Sequence, residues 1–274
     1  MQKVSIVIFD TTKNKKLAIF ALKQATMLSN IGNIHIFSDE AFFPGAIFHP
    51  IPVIKSSNDY SHQVLSLSPD NFSEDRLLII QWDGFPVAQK YWTDEFLKYD
   101  YIGAPLHGPE GWWVGNGGFS LRSKKLLRSI KELNIRVDGS SKQDQPEDQL
   151  ICLRNGARLK KNGIEFAPLN IAKKFSFQHG MIDKKSLGFH SYHLLPIYIA
   201  EDVLYEMTPE IIERQSSREL TMSYLENSLL VGKLDLFRLS LEWIRKKEWL
   251  FNEIEAEMYR NPNCGLVQAL KGFK

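Results

Sequence analysis

The first half of the chain alternates short apolar runs with stretches in which apolar residues recur at helical spacing. Short apolar runs between turn signals are typical of buried strands, and the periodic stretches are typical of amphipathic helices. This alternation predicts an α/β fold with a mostly parallel sheet flanked by helices. The predicted strands are residues 4–9, 34–37, 48–54 and 77–80, and the predicted helices are residues 16–28 and 61–67. Pro50 and Pro52 place the third strand at a sheet edge, because proline cannot donate to a ladder.

After the strand–helix alternation the sequence contains an irregular segment and then a helical region. Residues 100–193 are rich in glycine, tryptophan and turn signals, and irregular segments of that length usually carry function. From residue 200 onward helices are predicted, with Thr208-Pro209 as a helix start because of its capping hydroxyl and first-turn proline. We therefore predict a domain over residues 1–199 and a helical C-terminal extension over residues 200–274. The apolar stripe of this extension comprises Leu236, Leu239, Trp243, Leu250 and Ile254.

The composition is that of an ordinary globular protein, with 43% hydrophobic and 24% charged residues among 274. A net charge of +2 does not favour nucleic-acid binding, which needs a clustered basic excess. The two cysteines, Cys152 and Cys264, predict reduced thiols and hence a cytoplasmic protein. The apolar run over residues 4–9 is too short for a membrane span, so we expect any membrane association to be peripheral.

Acidic residues follow three of the predicted strands at the points where the strands end. They are Asp10, Asp39 and Asp83. Ligands of parallel sheets bind outside the carboxyl ends of strands. Gln81 and Asp83 point to the same side of an extended segment, and a carboxylate there can hold Mg²⁺ or Mn²⁺ while phosphate oxygens take the open positions. The alternative is a strand end with a turn-forming Asp-Gly pair.

A glycine-rich segment over residues 112–122 is a second candidate site. Gly115, Gly117 and Gly118 allow the backbone to approach a ligand closely. Trp113 offers a flat apolar face that suits a sugar ring or a nucleobase. The alternative is a tight turn packed beneath an aromatic core. The spacing matches neither a phosphate loop nor a dinucleotide fingerprint, which argues against a dehydrogenase.

Carboxylates and imidazoles further along the chain give two more candidates. Glu147 and Asp148 open an apolar helical run, where the helix dipole alone favours acids. Alternatively, a carboxylate there can act as general base on a sugar hydroxyl. His190 is a candidate second protein ligand for Mn²⁺, with a structural role as its alternative. His193 lies three residues on, and His179 competes for the same role.

These motifs occur in an order that resembles a known family. The first motif is Gln-Trp-Asp-Gly-Phe at residues 81–85, followed by Tyr-Asp-Tyr-Ile-Gly-Ala-Pro at residues 99–105 and Gly-Asn-Gly-Gly-Phe-Ser-Leu-Arg-Ser at residues 115–123. Glu-Asp at residues 147–148 and Gly-Phe-His at residues 188–190 come after them. In this order they closely resemble an uncharacterised domain-of-unknown-function family that is grouped with the GT-A nucleotide-diphospho-sugar glycosyltransferases. The resemblance covers about residues 4–195 and does not extend to the helical tail.

The resemblance implies a GT-A-like (Rossmann-like) fold and a divalent metal ion. In GT-A enzymes a short acidic motif, usually Asp-x-Asp, binds the metal that bridges the donor diphosphate. Residues 81–83 hold this position, so Gln81 replaces the first acid and Asp83 keeps the second. A histidine near the C-terminus often closes the metal site, which implies that Asp83 and His190 bind Mn²⁺ or Mg²⁺.

The resemblance also implies contacts with the substrates. Gly117 and Gly118 are implied to line the donor sugar and the acceptor, and Glu147 and Asp148 are implied to face the acceptor as catalytic carboxylates. Asp148 deprotonates the acceptor hydroxyl if the enzyme inverts, and positions the donor if it retains. Strand-end position alone suggests that Thr11 and Asp39 contact the nucleoside. The predicted donor- and acceptor-binding residues are Thr11, Asp39, Gln81, Trp113, Gly117 and Gly118.

The combined prediction is a metal-assisted, hexosyltransferase-like glycosyltransferase. It moves a sugar from a nucleotide-diphosphate donor, with UDP favoured, to a glycan or other hydroxyl acceptor, in surface-polysaccharide or glycoconjugate synthesis. One alternative is a catalytically inactive sugar-nucleotide-binding or assembly protein, which the missing first acid favours. Another is a nucleotidyltransferase, which the lack of glycine in residues 10–16 disfavours. The tryptophans and basic residues of 243–249 predict packing onto the catalytic domain or, alternatively, peripheral contact with another subunit or the inner membrane face.

Overall fold

The computed structural model describes residues 2–108, 111–179 and 185–272. The chain divides into two compact units, Met1–His190 and Ser191–Lys274. The first unit holds the strands of three sheets, whereas the described residues of the second are arranged in helices and their connections. Both cysteines are free thiols.

The first unit alternates strands and helices in its N-terminal half. Its strands are β1 (Val4–Phe9), β2 (Ile31–Ser38), β3 (Ile47–Pro50), β4 (Arg76–Ile80), β5 (Gly84–Pro86), β6 (Tyr101–Gly103), β7 (Pro105–Gly108), β8 (Gly111–Val114), β9 (Ser120–Ser123), β10 (Ser176–Phe177) and β11 (Gly188–His190). Its helices are α1 (Lys16–Ala25), α2 (Ser57–Leu65), α3 (Lys124–Glu132), α4 (Glu147–Gln149), α5 (Gly156–Lys161) and α6 (Leu169–Phe175). A π-helical turn, Leu150–Arg154, continues α4.

A six-stranded sheet with the order β3-β2-β1-β4-β9-β6 forms the centre of this unit. Strands β3, β2, β1 and β4 pair in parallel, while β9 runs antiparallel to both β4 and β6. Every residue of β1 is buried, as are the last four of β4. Strands buried in this way read as continuous apolar runs, so the predicted α/β class with a mostly parallel sheet is confirmed.

Strand β3 lies at the sheet edge, as its prolines predict. It ends at Pro50, earlier than the predicted end at residue 54. Pro52 has no N–H with which to continue the ladder. The N–H of Ile51 instead donates to the carbonyl of Ser38, at 2.9 Å.

Two small sheets complete the first unit. Strand β5 pairs antiparallel with β11, which pairs in parallel with β10. Strands β7 and β8 form an antiparallel pair. Because β5 follows β4 after a short loop, the sheet containing β5 begins where a central buried strand ends.

The second unit confirms the predicted helical character of the C-terminal region. Its helices are α7 (Leu195–Tyr198), α8 (Glu201–Arg214), α9 (Arg218–Leu230), α10 (Leu234–Lys246), α11 (Glu248–Arg260) and α12 (Gly265–Gly272). Leu236, Leu250 and Ile254 of the predicted stripe are buried. Trp243 packs against the apolar cluster that contains Leu250 and Ile254. Within the described residues, no helix combines the length and the apolar character that crossing a membrane requires.

The predicted helix start at Thr208-Pro209 is wrong, because α8 begins at Glu201 and Pro209 lies inside it. The Thr208 hydroxyl does not cap a helix; it donates to the carbonyl of Leu204 at 2.9 Å. A proline leaves the carbonyl four residues earlier without its helical partner. Here that residue is Tyr205, which lies on the exposed side of the helix and is 47% exposed.

Candidate active site

A tight hairpin at the end of β4 places Asp83. The N–H of Gln81 donates to the carbonyl of Gly84 at 2.9 Å, and the N–H of Gly84 donates back at 3.1 Å. Trp82 and Asp83 form the loop between them. Gly84 is required here, because a Cβ atom would lie 2.5 Å from the His190 ring and 2.9 Å from the Gly118 carbonyl oxygen. Asp83 therefore stands at the tip of a hairpin fixed by a buried strand.

Strand pairing brings His190 to this hairpin. In the antiparallel pair of β5 and β11, His190 lies opposite Gly84. Its Nε2 atom is 3.0 Å from Gln81 Oε1 and 3.8 Å from Asp83 Oδ1. Burial lowers the pKa of His190, although the Asp83 carboxylate opposes this shift, so the ring is neutral near pH 7. The two predicted metal ligands, distant in sequence, thus converge.

His179 and His193 have environments that differ from that of His190. Burial lowers the pKa of His179, and electrostatic interaction with His190 lowers it further, so His179 lies near the site. His193 belongs to the second unit, where its Nδ1 atom is 2.8 Å from the hydroxyl of Ser191.

Asn116 holds the other side of the His190 ring. Its Oδ1 atom accepts hydrogen bonds from the N–H groups of Gly118, at 3.1 Å, and Phe119, at 3.4 Å. These donors orient the amide, so that Nδ2 faces His190 Nδ1 at 2.8 Å and donates to Gln178. The sequence gives no role to Asn116 beyond its place in the glycine-rich run, nor any role to Gln178.

Gly117 and Gly118 contact both the predicted catalytic carboxylates and the predicted metal ligand His190. The N–H of Gly117 donates to Asp148 Oδ2 at 3.2 Å. A Cβ atom on Gly117 would overlap the Glu147 carboxylate, and one on Gly118 would overlap the His190 ring. These close approaches explain why glycine is needed at both positions. The pair connects the predicted metal ligands to the predicted catalytic carboxylates.

Glu147 forms a buried ion pair with Arg122. The Arg122 Nη2 atom is 2.8 Å from Glu147 Oε1, with side chains only 1% and 5% exposed. Arg122 also donates through Nε to the Ser120 hydroxyl at 3.0 Å, and its guanidinium lies 5.1 Å from the centre of the Tyr101 ring. Arg122 was not predicted as part of the site. It neutralises Glu147 and fixes the start of α4.

Asp148 is a buried carboxylate whose pKa is shifted towards neutral pH. Both of its oxygens accept backbone hydrogen bonds, from Gly117 at 3.2 Å and Gln149 at 2.7 Å. Burial, reinforced by the neighbouring Glu147 charge, nevertheless raises the pKa of Asp148 to about 6. A carboxylate with such a pKa is suited to proton transfer near neutral pH.

Thr11 and Asp39 lie in a separate cluster at the ends of β1 and β2. The Lys15 ammonium donates to Asp39 Oδ1 at 2.8 Å and to the carbonyl of Asp10 at 3.0 Å. The hydrogen bond from Lys15 lowers the pKa of Asp39. The Thr11 hydroxyl accepts from the N–H of Ile54 at 2.9 Å. These hydrogen bonds thus connect the segments that follow β1, β2 and β3.

Trp113 lies on β8, next to the glycine-rich segment. Its ring covers Gly115 so closely that a Cβ atom there would overlap it. The adjacent Trp112 is 46% exposed, and its ring centre lies 5.3 Å from that of His107. Trp113 therefore anchors the beginning of the glycine segment.

The atoms around His190 Nε2 fit a divalent ion. Two atoms that each bind Mg²⁺ at about 2.1 Å can be separated by up to about 4.2 Å, and Asp83 Oδ1 lies 3.8 Å from His190 Nε2. Gln81 adds a neutral oxygen beside them. Within the described residues, no group of three or more His, Cys, Asp or Glu side chains is arranged to hold a metal. The remaining positions would therefore be left to phosphate oxygens and water, as is usual for Mg²⁺.

Sequence comparison identifies a family but no curated relative. The family model described as "Protein of unknown function (DUF5672)" matches residues 46–190, just over half of the chain. This match confirms the predicted resemblance to a domain-of-unknown-function family. No curated protein matches the chain significantly.

Three solved structures are similar at low sequence identity. A mannosyltransferase from Pyrobaculum calidifontis in complex with GDP-Man and Mn²⁺ aligns over 98% of this chain and 83% of its own, with 8% identity and a TM-score of 0.43. The glycosyltransferase GlyE of Streptococcus pneumoniae aligns over 90% of this chain and 64% of its own, with 15% identity and a TM-score of 0.45. TarS of S. aureus aligns over 83% of this chain and 44% of its own, with 11% identity and a TM-score of 0.37.

Proposed function

The chain belongs to the family described as "Protein of unknown function (DUF5672)", and for this member we propose glycosyl transfer from a nucleotide-diphosphate sugar to a hydroxyl acceptor. One observation carries the proposal. Asp83 and His190 on one side, and Asp148 on the other, meet at the backbone of Gly117 and Gly118. A pair suited to an ion and diphosphate thus lies beside a carboxylate suited to accepting a proton, as transfer to a hydroxyl requires.

The donor side of the proposed site is formed by Asp83, His190 and Gln81. Asp83 and His190 would hold Mn²⁺ or Mg²⁺, which when bound neutralises charge on the departing nucleotide diphosphate. Strand pairing fixes His190 opposite Gly84. Gln81 supplies an amide that can orient a donor oxygen without adding negative charge near the diphosphate.

The acceptor side of the proposed site is formed by Asp148. We assign it as the general base that removes the proton of the acceptor hydroxyl. Its pKa of about 6 keeps it mostly ionised at pH 7, yet basic enough to take a proton as the bond forms. Glu147 acts beside it through the ion pair with Arg122, which holds the start of α4 in place.

Finer features of the proposal rest on position and family resemblance. We propose UDP as the nucleotide, with Thr11 and Asp39 near the nucleoside and Trp113 beside a sugar ring. We also propose that the chain acts in the cytoplasm, in surface-polysaccharide or glycoconjugate synthesis. The second unit would then contact a partner subunit or the inner membrane face.

A second candidate function is nucleotide-sugar binding without turnover. It is favoured by the amide of Gln81, which stands where GT-A enzymes usually carry an acid and lies 3.0 Å from His190 Nε2. A site with fewer charges binds a metal ion less tightly and stabilises a leaving diphosphate less.

Release of nucleotide diphosphate from a panel of nucleotide sugars, with Mn²⁺ and simple glycoside acceptors, separates the two functions. We expect release by the wild type, and a reduction of about 10²–10⁴-fold in Asp148→Asn, the usual contribution of a general base. Asp235→Asn is the matched control, since that side chain is 76% exposed on α10. Binding without release by the wild type would favour the second function, and no binding would reject both.

A further inference from the structure

The hydroxyl of Tyr60 is buried and lacks a hydrogen-bond partner among the described residues. The residue as a whole is partly exposed, so it is specifically the polar end of the side chain that is enclosed. Burying a hydroxyl without a partner is unfavourable, and such groups are rare in native structures. This hydroxyl therefore requires an explanation.

Apolar contacts hold the ring of Tyr60 in place. The ring packs against the core cluster of the central sheet, and its centre lies 5.7 Å from that of Phe9 in an edge-on arrangement. Phe9 is the last residue of β1, a strand buried throughout. The ring thus has a structural role that phenylalanine could fill equally well, whereas the hydroxyl contributes nothing to it.

The helix that carries Tyr60 is fastened to the segment that carries the catalytic carboxylates. Asn58 Oδ1 accepts from the N–H of Gln145 at 2.8 Å, and its Nδ2 donates to the carbonyl of Gln143 at 3.2 Å. Helix α2 also contacts α4 directly. These contacts fix the position of Tyr60 relative to Glu147 and Asp148.

The hydroxyl end of Tyr60 lies within the electrostatic reach of the proposed site. Burial raises the pKa of Tyr60, the charge of Glu147 raises it further, and that of Asp148 adds a smaller increase. Arg122 and a hydrogen-bonding interaction with the Gln81 side chain lower it, although Gln81 does not reach hydrogen-bond geometry with the hydroxyl. Charged and polar groups from both the donor side and the acceptor side of the proposed site therefore shift the pKa of the Tyr60 hydroxyl.

The neighbouring carboxylates accept hydrogen bonds from other donors. Asp148 accepts from Gly117 and Gln149, and Glu147 accepts from Arg122. Neither carboxylate accepts from the O–H group of Tyr60, so this donor is available beside a site proposed to bind a polyhydroxylated substrate. Gln81, which is partly exposed, is the neighbouring side chain that can turn aside to admit a ligand.

We propose that the Tyr60 hydroxyl forms a hydrogen bond to a hydroxyl group of the sugar bound at this site. The inference rests on the proposed function and adds a sugar-contacting residue to it. A sugar hydroxyl can accept from Tyr60 while it donates to a carboxylate or to Gln81. The contact would favour a sugar with a free hydroxyl at this position over its deoxy analogue.

Tyr60→Phe tests the inference, with Tyr224→Phe as matched control. Tyr224 also has a buried hydroxyl without a partner, but it lies in the second unit. In the free protein we expect both variants to unfold at or above the wild-type temperature, because each loses an unpaired buried hydroxyl. Calorimetry should show about tenfold weaker binding of the nucleotide sugar to Tyr60→Phe alone, the effect of one hydrogen bond. Binding of the nucleotide diphosphate without sugar should not change.

Three results would overturn the inference while leaving the proposed function intact, and two of them concern Tyr60→Phe without reference to the nucleotide diphosphate. One is wild-type affinity of Tyr60→Phe for the nucleotide sugar. The other is a clearly lower unfolding temperature of free Tyr60→Phe, which would mean that the hydroxyl has a partner within the protein. Equal weakening of nucleotide-diphosphate and nucleotide-sugar binding would also contradict it. Failure of the wild type to bind any nucleotide sugar would instead reject the proposed function, and the inference with it.

Discussion

Asn116 Nδ2 lies 2.8 Å from Nδ1 of His190 and thereby decides which nitrogen of the ring carries the hydrogen. Backbone N–H groups occupy the Asn116 oxygen, so its nitrogen must face the imidazole. His190 Nδ1 is then an acceptor, and the hydrogen of the neutral ring resides on Nε2, which donates to Gln81 Oε1. An ion at Nε2 requires the other tautomer, for which Gln178 Oε1, 3.4 Å from Nδ1, is the available acceptor.

Replacing Asn116 with aspartate should reverse the tautomer of His190. The introduced carboxylate would present an acceptor to Nδ1, so the ring hydrogen should move there and leave the Nε2 lone pair available. Nitrogen-15 chemical shifts of the histidine ring distinguish the two forms. We expect the Nε2–H form in the free wild type and the Nδ1–H form in Asn116→Asp. An Nδ1–H ring in the wild type would contradict the hydrogen-bond assignment, and Asn116→Ala shows what the ring adopts without either partner.

The pKa of Asp148 predicts an acid limit to turnover. A general base must be ionised, and burial raises the pKa of this carboxyl to about 6. Turnover should therefore fall about tenfold for each pH unit below 6 and level off above it. The residual turnover of Asp148→Asn should not show this fall below pH 6. A fall in turnover that begins only near the ordinary carboxyl pKa, or one that persists in Asp148→Asn, would assign the general base to another residue.

The same pKa shift has a consequence for stability, with a defined sign. Because the folded-state pKa of Asp148 is raised above 3.8, ionisation disfavours the folded state, and stability is lost as the pH rises from about 4 through 6. The loss corresponds to roughly 3 kcal/mol at most, at about 1.4 kcal/mol per pKa unit. Asp148→Asn should raise the unfolding temperature at pH 8 and have little effect at pH 4. Equal effects at both pH values would contradict the shift.

The buried pair of Arg122 and Glu147 predicts a strongly destabilised variant. Glu147→Gln leaves the guanidinium buried, with a side chain only 1% exposed, and opposite a neutral amide. Removing one partner of a buried pair costs about 3–5 kcal/mol. Glu219→Gln is the control, because Glu219 pairs with Arg218 at the surface, where water screens the charges, and its substitution should have a much smaller effect. Calorimetric unfolding measures both, and similar effects of the two substitutions would contradict the role of burial.

The central sheet could be predicted from the sequence because its strands are buried on both faces. Nearly all residues of strands β1 and β4 are buried, so each strand appears in the sequence as a continuous apolar run between turn signals. The edge position of β3 followed from its prolines. By contrast, the predicted helix start at Pro209 was wrong, because a proline is also compatible with a helix interior when packing holds the helix on both sides of it.

Residue types alone indicated Asp83, His190 and Asp148 as separate candidates, and only the resemblance to a known family grouped them into one site. Strands β5 and β11 have three residues each, too few to show periodicity, so the meeting of Asp83 and His190 was implied by resemblance and not by pattern. The roles of Asn116, Arg122 and Tyr60 arise from long-range contacts that local sequence does not encode. Asn116 and Arg122 lie in the glycine-rich segment that marked the site, but nothing in that segment indicates which side chains they contact.

Gly118→Ala should abolish turnover while leaving the fold intact. A Cβ atom at this position would overlap the His190 ring and lie 2.5 Å from Gln81 Oε1, so the ring must move away from Asp83. Gly139→Ala is the matched control, since a Cβ atom there meets nothing within 4 Å. We expect near-native circular dichroism for both variants and loss of turnover in Gly118→Ala alone. Full turnover in Gly118→Ala would show that the position of His190 does not matter for the reaction.

Binding of a nucleotide diphosphate should depend on a divalent ion through Asp83. In a thermal-shift measurement, a ligand that binds only the folded state raises the unfolding temperature by mass action. We expect UDP with Mn²⁺ to stabilise the wild type more than UDP with a chelator. Asp83→Asn keeps the side-chain shape but removes the charge that lies 3.8 Å from His190 Nε2, so it should lose the Mn²⁺-dependent part of the shift. Asp70→Asn, an exposed aspartate in the same unit, should keep it. An equal Mn²⁺-dependent shift in Asp83→Asn would place the ion elsewhere and remove the main support for the donor side of the proposed site.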